Sequence, residues 1–254
     1  MSGLSDPTSR RLAERLRQED PDRLAMAMLA RAEAQARLVT LYALNAELAR
    51  TALSARDPLI AEMRVQWWID RLGAMAAAAP PPHELLSPLW SAWGSGAAAL
   101  APLAEARRHD AAREPFETVE EVVAYADATG GALMAHAARA LGAPDVPALH
   151  AQGRGAALTA WLRAHPALQP LGLGLAAAEP AQLAALARIA TQALRDAAEE
   201  RRALPRSAAP ALFAGPAPMQ ALRAIMAGEP PPRPSDFTRR AALARLALTG
   251  RWWV

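Results

Sequence analysis

Apolar residues recur along most of this chain at a helical spacing, and almost nowhere at the spacing of a strand. From Glu33 to Leu53 they fall at Leu38, Leu41, Tyr42, Leu44, Leu48 and Ala49, the roughly 3.6-residue recurrence of a helix set in a core. A second long segment opens at Asp57-Pro58 and carries Ile60, Met63, Val65, Trp67, Trp68, Ile69 and Leu72, then dies in alanines before Pro80-Pro81-Pro82. Apolar groups on nearly all of its sides predict deep burial. Ahead of these, Ser5-Asp6-Pro7 offers a cap and an early proline to an N-terminal helix within residues 1–20, with Leu12 and Leu16 on one stripe, and Asp20-Pro21 starts a short helix to about Leu29.

Further along, Thr118 and Glu121 stand at capping-box spacing and predict a helix to Leu141, stopped by Gly142. Gly130-Gly131 inside it asks for a reason, since each glycine costs about 1 kcal/mol relative to alanine there. Close approach of another helix is the first reading, and a lipid-shaped space kept open is the second. Helices are expected from Pro147 to Ala164, before His165-Pro166, and from Glu179-Pro180 to about Ala203. Shorter ones follow around Ala209–Phe213, Pro216–Ala227 and Phe237–Gly250, with a proline-rich connector at 229–235. The uncharged stretch Leu85–Ala104 has the length of a membrane span, but Pro88, Gly94, Gly96 and Pro102 interrupt it, which predicts two short helices and a turn. Strand signals are nearly absent and no repeat of fixed period occurs, so the expectation is one all-α domain over residues 1–254.

Composition narrows the function classes. All 28 basic residues are arginine, and they face 25 acidic ones, a net charge of +3 with both signs interspersed. No basic stripe suits nucleic acid. Cysteine is absent, which removes disulfides, thiolate metal sites and a cysteine nucleophile. The N-terminal residues do not read as a secretory signal, so a cytoplasmic location is expected. The five histidines, His83, His109, His136, His150 and His165, show no metal spacing, and neither a serine nucleophile elbow nor a glycine-rich phosphate loop is present. Asp196, Glu199 and Glu200 share a helix face, where Arg195, Arg201 and Arg202 predict ion pairing rather than metal binding.

Three stretches carry a resemblance: LVTLYALNAELART at Leu38–Thr51, IAEMRVQWWIDRL at Ile60–Leu72 and VAYADATGGALMAHAARALG at Val123–Gly142, with RRAALARLALTGRWW near the end similar in type. The middle stretch is the most specific, since Arg64, Gln66, Trp67, Trp68 and Asp70 are expensive residue types in a definite order. The tryptophans read first as core anchors. Together the stretches resemble the squalene/phytoene synthase family, in particular its branch that includes assembly factors for respiratory complex I.

That resemblance implies an isoprenoid (terpenoid) synthase-like helical bundle around a central cavity. It also implies two aspartate-rich helices on which magnesium neutralises a departing diphosphate. The first motif falls on YALNAELARTAL, with its outer carboxylate positions at Ala49 and Leu53; the second falls on LTAWLRAHPAL, at Ala164 and Leu168, with Pro166 expected to break the helix. Asn45 and Glu47 lie near the first motif but two apart, on different helical faces, and Glu47 is expected on a solvated or ion-paired face. No magnesium or other cofactor is therefore expected. The cavity would be walled by Tyr42, Leu44, Asn45, Ala49, Leu53, Tyr125, Thr129, Leu158 and Arg163. The leading expectation is a catalytically degenerate scaffold or assembly protein that holds an isoprenoid or other lipid, with respiratory-complex proteins as partners. The alternative is an active prenyl transferase with a non-standard ligand set, magnesium included, in which Arg50 and Arg163 contact phosphate. Arg251-Trp252-Trp253 adds at most a peripheral membrane contact, at the inner membrane.

Overall fold

A helix begins most readily where a short polar side chain can take up its free amides and a proline presets the first turn. Asp20 accepts the Arg23 amide at 3.0 Å and Asp57 accepts the Leu59 amide at 3.0 Å, each immediately before a proline. The computed structural model describes residues 7–254, so the expected cap at Ser5 and Asp6 lies outside the described residues. The chain divides into two compact units that meet in sequence at Arg113 and Glu114. Among the described residues secondary structure is helical, apart from one isolated bridge between Phe116 and Leu175.

The first unit contains α1 (Pro7–Glu19), α2 (Pro21–Leu29), α3 (Ala32–Leu53), α4 (Pro58–Ala74), α5 (Leu86–Trp93), a 3-10 segment (Gly94–Leu100), α6 (Ala101–Glu105) and α7 (Arg108–Ala112). As its spacing predicts, α3 is the central helix: Leu38, Leu41, Leu44 and Leu48 are buried, and α1, α2, α4 and α5 pack around it. The stretch Leu85–Ala104 is broken into short helical pieces, and no helix among the described residues is long and apolar enough to cross a membrane. The sequence expectation for α4 needs correction. Only Ala61, Val65, Trp68 and Leu72 are buried, while Leu59, Ile60, Met63 and Trp67 are exposed. Apolar residues all round a helix do not say how many of its sides find a neighbour; here one stripe does.

The second unit holds α8 (Val119–Ala126), a π-helical turn (Asp127–Gly131), α9 (Ala132–Ala140), α10 (Pro147–Leu168), α11 (Pro180–Glu199), α12 (Pro218–Met226) and α13 (Asp236–Thr249). Its core gathers Phe116, Val122, Leu158, Trp161, Leu186 and Leu194, with α10 against α11 at the centre. The helix expected from Thr118 to Leu141 is interrupted by the π-turn at the glycine pair. Thr118 caps the Glu121 amide at 3.2 Å, but the Glu121 carboxylate reaches past it to the Glu117 amide at 2.8 Å, so the reciprocal box does not close.

Other boundaries shift for physical reasons. Pro166 does not end α10, which runs on to Leu168: a proline in the last turn forfeits a single amide, and its fixed φ suits a helix. Ala209–Phe213 forms turns rather than a helix, with Ala211 and Leu212 bonded three residues back at 2.9 and 3.2 Å around Pro210. Asp196 accepts from Gln192 at 2.7 Å and forms no arginine ion pair among the described residues. Trp252 is buried and Trp253 stands edge-on to it, with Arg201 and Arg251 over the Trp253 ring.

Candidate functional site

A cleft of about 420 Å³ is built on α3 and α4 within the first unit and is lined by Glu47, Arg50, Thr51, Ser54, Arg64, Trp67, Trp68 and His83. Its floor is aromatic. Trp67 and Trp68 meet edge to face at 5.0 Å, and the His83 ring lies 5.6 Å from each. Trp68 is anchored by burial and by its indole N–H, which donates to Thr51 Oγ1 at 3.2 Å. His83 is fixed by its backbone neighbours: Nδ1 accepts the amides of Leu85 and Leu86 at 3.1 and 3.2 Å, so in the neutral ring the proton resides on Nε2.

The charges divide unevenly. Glu47 accepts from Arg15 at 2.8 Å, from Arg50 and, at 3.4 Å, from Thr51, so its charge is ion-paired on both sides. Burial acts to lower the pKa of Arg15, but the hydrogen bonds its guanidinium donates to Glu19, at 3.0 Å, and to Glu47 outweigh it and hold the pKa above its ordinary range. Arg64 donates to Ser54 Oγ at 2.7 Å and has no carboxylate partner among the described residues. Around the rim, Gln66 donates to Asp70 at 2.6 Å and receives a hydrogen bond from Arg108, which also holds Glu105. The cleft thus offers two guanidiniums and an imidazole N–H around one neutralised carboxylate, over an apolar floor.

A second cleft of about 370 Å³ lies in the second unit beside the π-turn, lined by Asp127, Arg139, His136, His150 and Arg154 among others. Its charges cancel locally. Arg154 grips Asp127 with two nitrogens at 3.0 and 2.6 Å, which raises the Arg154 pKa, and Asp145 takes Arg139 at 2.9 Å and His150 at 2.7 Å, which lowers its own. Burial, and then the Arg139 charge, lower the pKa of His136. With both guanidiniums paired, this cleft has less to offer an anion.

None of the nine sequence-derived cavity residues lines the first cleft. Tyr42 and Leu44 are buried in the first unit, Tyr42 beneath Arg23 with its hydroxyl pKa raised by burial. Asn45 accepts from Arg107 at 3.2 Å, Ala49 is half-buried and Leu53 is exposed. In the second unit Leu158 is wholly buried, Tyr125 packs against the same cluster, and Thr129 donates to the Tyr125 carbonyl at 2.7 Å across the π-turn. Arg163 donates to the carbonyls of Pro216 and Ala217 at 2.7 and 3.1 Å, and burial together with Arg239 lowers its pKa. The glycine pair supports helix approach, the first of the two readings: a Cβ on Gly130 would stand 2.8 Å from that of Ala157, and one on Gly153 would stand 3.1 Å from Gly131 Cα.

Sequence reasoning did single out Arg64, Trp67 and Trp68, but as markers of resemblance and core anchors, and it set His83 aside for want of metal spacing. A usable signal was present: adjacent helical residues point ~100° apart, so two neighbouring tryptophans cannot both enter one core stripe.

A family model described as squalene/phytoene synthase matches residues 16–243. The chain is 28% identical over 165 residues to NADH dehydrogenase (ubiquinone) complex I, assembly factor 6, of Mus musculus, covering 60% of this chain and 48% of that protein, with the same figures for Rattus norvegicus. For the Bos taurus protein of the same name the identity is 27% over 178 residues, covering 65% and 52%. The chain therefore spans about half the length of these curated relatives. A crystal structure of a dehydrosqualene synthase in complex with ligand superposes with a TM-score of 0.67 at 13% identity, covering 94% of this chain and 95% of that one, which shows the fold.

Proposed function

Since the chain belongs to the squalene/phytoene synthase family, we propose that it is a member without prenyl-transfer chemistry, a scaffold or assembly factor that holds an isoprenoid or other lipid. The observation that carries this reading is the chemistry at the four motif positions. Departure of a diphosphate needs divalent cations, and these need clustered carboxylates. The resemblance places Ala49, Leu53, Ala164 and Leu168 there, none of which has a ligating atom in its side chain. The neighbouring polar groups suit magnesium no better, because Glu47 is bound by Arg15 and Arg50, and Asn45 by Arg107. Among the described residues no three His, Asp or Glu side chains gather as a metal site.

The assembly half of the reading draws support from the mammalian relatives, which carry that role in their names. We place the protein in the cytoplasm, with partners in respiratory-complex assembly. Incubation with farnesyl or geranylgeranyl diphosphate and magnesium should release no pyrophosphate above background, while lipid extraction of the purified protein should yield a bound isoprenoid or acyl lipid. Sustained magnesium-dependent turnover would replace this reading with that of an active transferase.

A further inference from the structure

The exposed apolar side of α4 and the first cleft share a residue. Leu59, Met63 and Trp67 stand at i, i+4 and i+8, a stripe ~12 Å long at ~1.5 Å per residue. Leu59 and Met63 are 64% and 65% exposed, and Trp67 closes the stripe where it becomes the cleft floor. At that end stand Arg64, paired with no carboxylate among the described residues, the His83 Nε2–H, and Arg50. Arg15 draws on Glu19, Glu47 and Glu84, and Glu47 also holds Arg50, so the apolar track ends at one guanidinium, Arg64, that no carboxylate among the described residues balances. Such asymmetry fits a ligand with an anionic head and one hydrocarbon chain. It does not fit a neutral lipid, which would leave the guanidinium without a counter-charge, nor a bare anion, which would leave the stripe in water.

From this arrangement we infer that the cleft binds the phosphate head of a single-chain phosphate monoester at Arg64, Arg50 and His83, with its chain along Trp67, Met63 and Leu59. The site is separate from the positions where the family's carboxylates would stand. Glu47, Arg50 and Thr51 of α3, continued by Ser54 just past its end, share a face about a third of a turn away from Ala49 and Leu53, at ~3.6 residues per turn. The inference rests on the lipid-holding reading and names the chemistry of the lipid and its place.

Decyl phosphate, kept below its micelle-forming concentration, is the probe, with tryptophan fluorescence and calorimetry as readouts. Saturable binding is expected, with inorganic phosphate and decanol each much weaker. Arg64→Gln should weaken binding about tenfold through loss of a charge-assisted contact, and Met63→Glu by a similar factor through repulsion along the track. Both side chains are exposed, and circular dichroism verifies that the variants fold. Equal affinity in wild type and Arg64→Gln, or binding only to phosphatidic acid vesicles and not to the monomeric probe, would overturn the site. If a lipid still co-purifies with Arg64→Gln at the wild-type ratio, the site is wrong while the lipid-holding reading stands; absence of any bound lipid from both proteins removes both.

Discussion

Single residues in this protein act mainly through what they are denied. His165 is buried against Trp161, at a ring separation of 4.9 Å, and its Nε2 accepts the Leu175 amide at 3.4 Å, a role that only the neutral ring can fill. Burial therefore lowers its pKa, and burial with Arg139 lowers that of His136. In the unfolded chain both rings titrate near ~6.5. As pH falls through that value the unfolded state takes up protons that the folded state refuses, so stability is full above it and declines below it until the folded rings titrate too. Urea unfolding should show a lower midpoint at about pH 5.5 than at about pH 7.5, and His165→Gln should narrow that gap. An unchanged gap would remove His165 from the account. Arg163 makes the complementary case: its guanidinium is a plausible phosphate ligand on sequence grounds, yet it is spent on two carbonyls before α12.

At the scale of elements, the contacts of glycine decide its effect more than helix propensity does. Gly153 on α10 faces Gly131 backbone, where an added Cβ would meet Cα and O at 3.1 Å, and backbone in a packed core has little room to yield. Gly73 on α4 has nothing within 4 Å of an added Cβ. Gly153→Ala should therefore destabilise by about 1–3 kcal/mol through overpacking, whereas Gly73→Ala should stabilise by up to about 1 kcal/mol through helix propensity. Paired urea melts read both signs directly, and equal effects would refute the packing argument. The π-turn at Asp127–Gly131 belongs to the same contact, since it lies where the helix containing the glycine pair presses on α10. The period of the sequence predicted a helix there; the wider local turn follows from a neighbour more than 20 positions downstream.

For the whole molecule, family membership and fold agree over nearly the full chain, and the proposed lack of a magnesium site is a property of the folded state that heating can test. A cation that bound the folded state would raise its melting temperature by mass action. Millimolar magnesium should leave the melting temperature unchanged, and a shift of several degrees would reveal a metal site and reopen the transferase reading.

Much of this was legible in the chain, because helix period, caps at Asp20 and Asp57, and the central burial of α3 are local properties. That Ala49 and Leu53 carry no carboxylate is equally plain in a sequence, since the identity of a side chain needs no coordinates. What the chain could not disclose was partnership. Whether α4 hid its apolar residues, whether Trp67 or Trp68 entered the core, where His83 pointed and which arginine lacked a carboxylate all depend on segments distant in sequence meeting in space. Periodicity records which side chains avoid water, and only the packed structure settles which of them succeed.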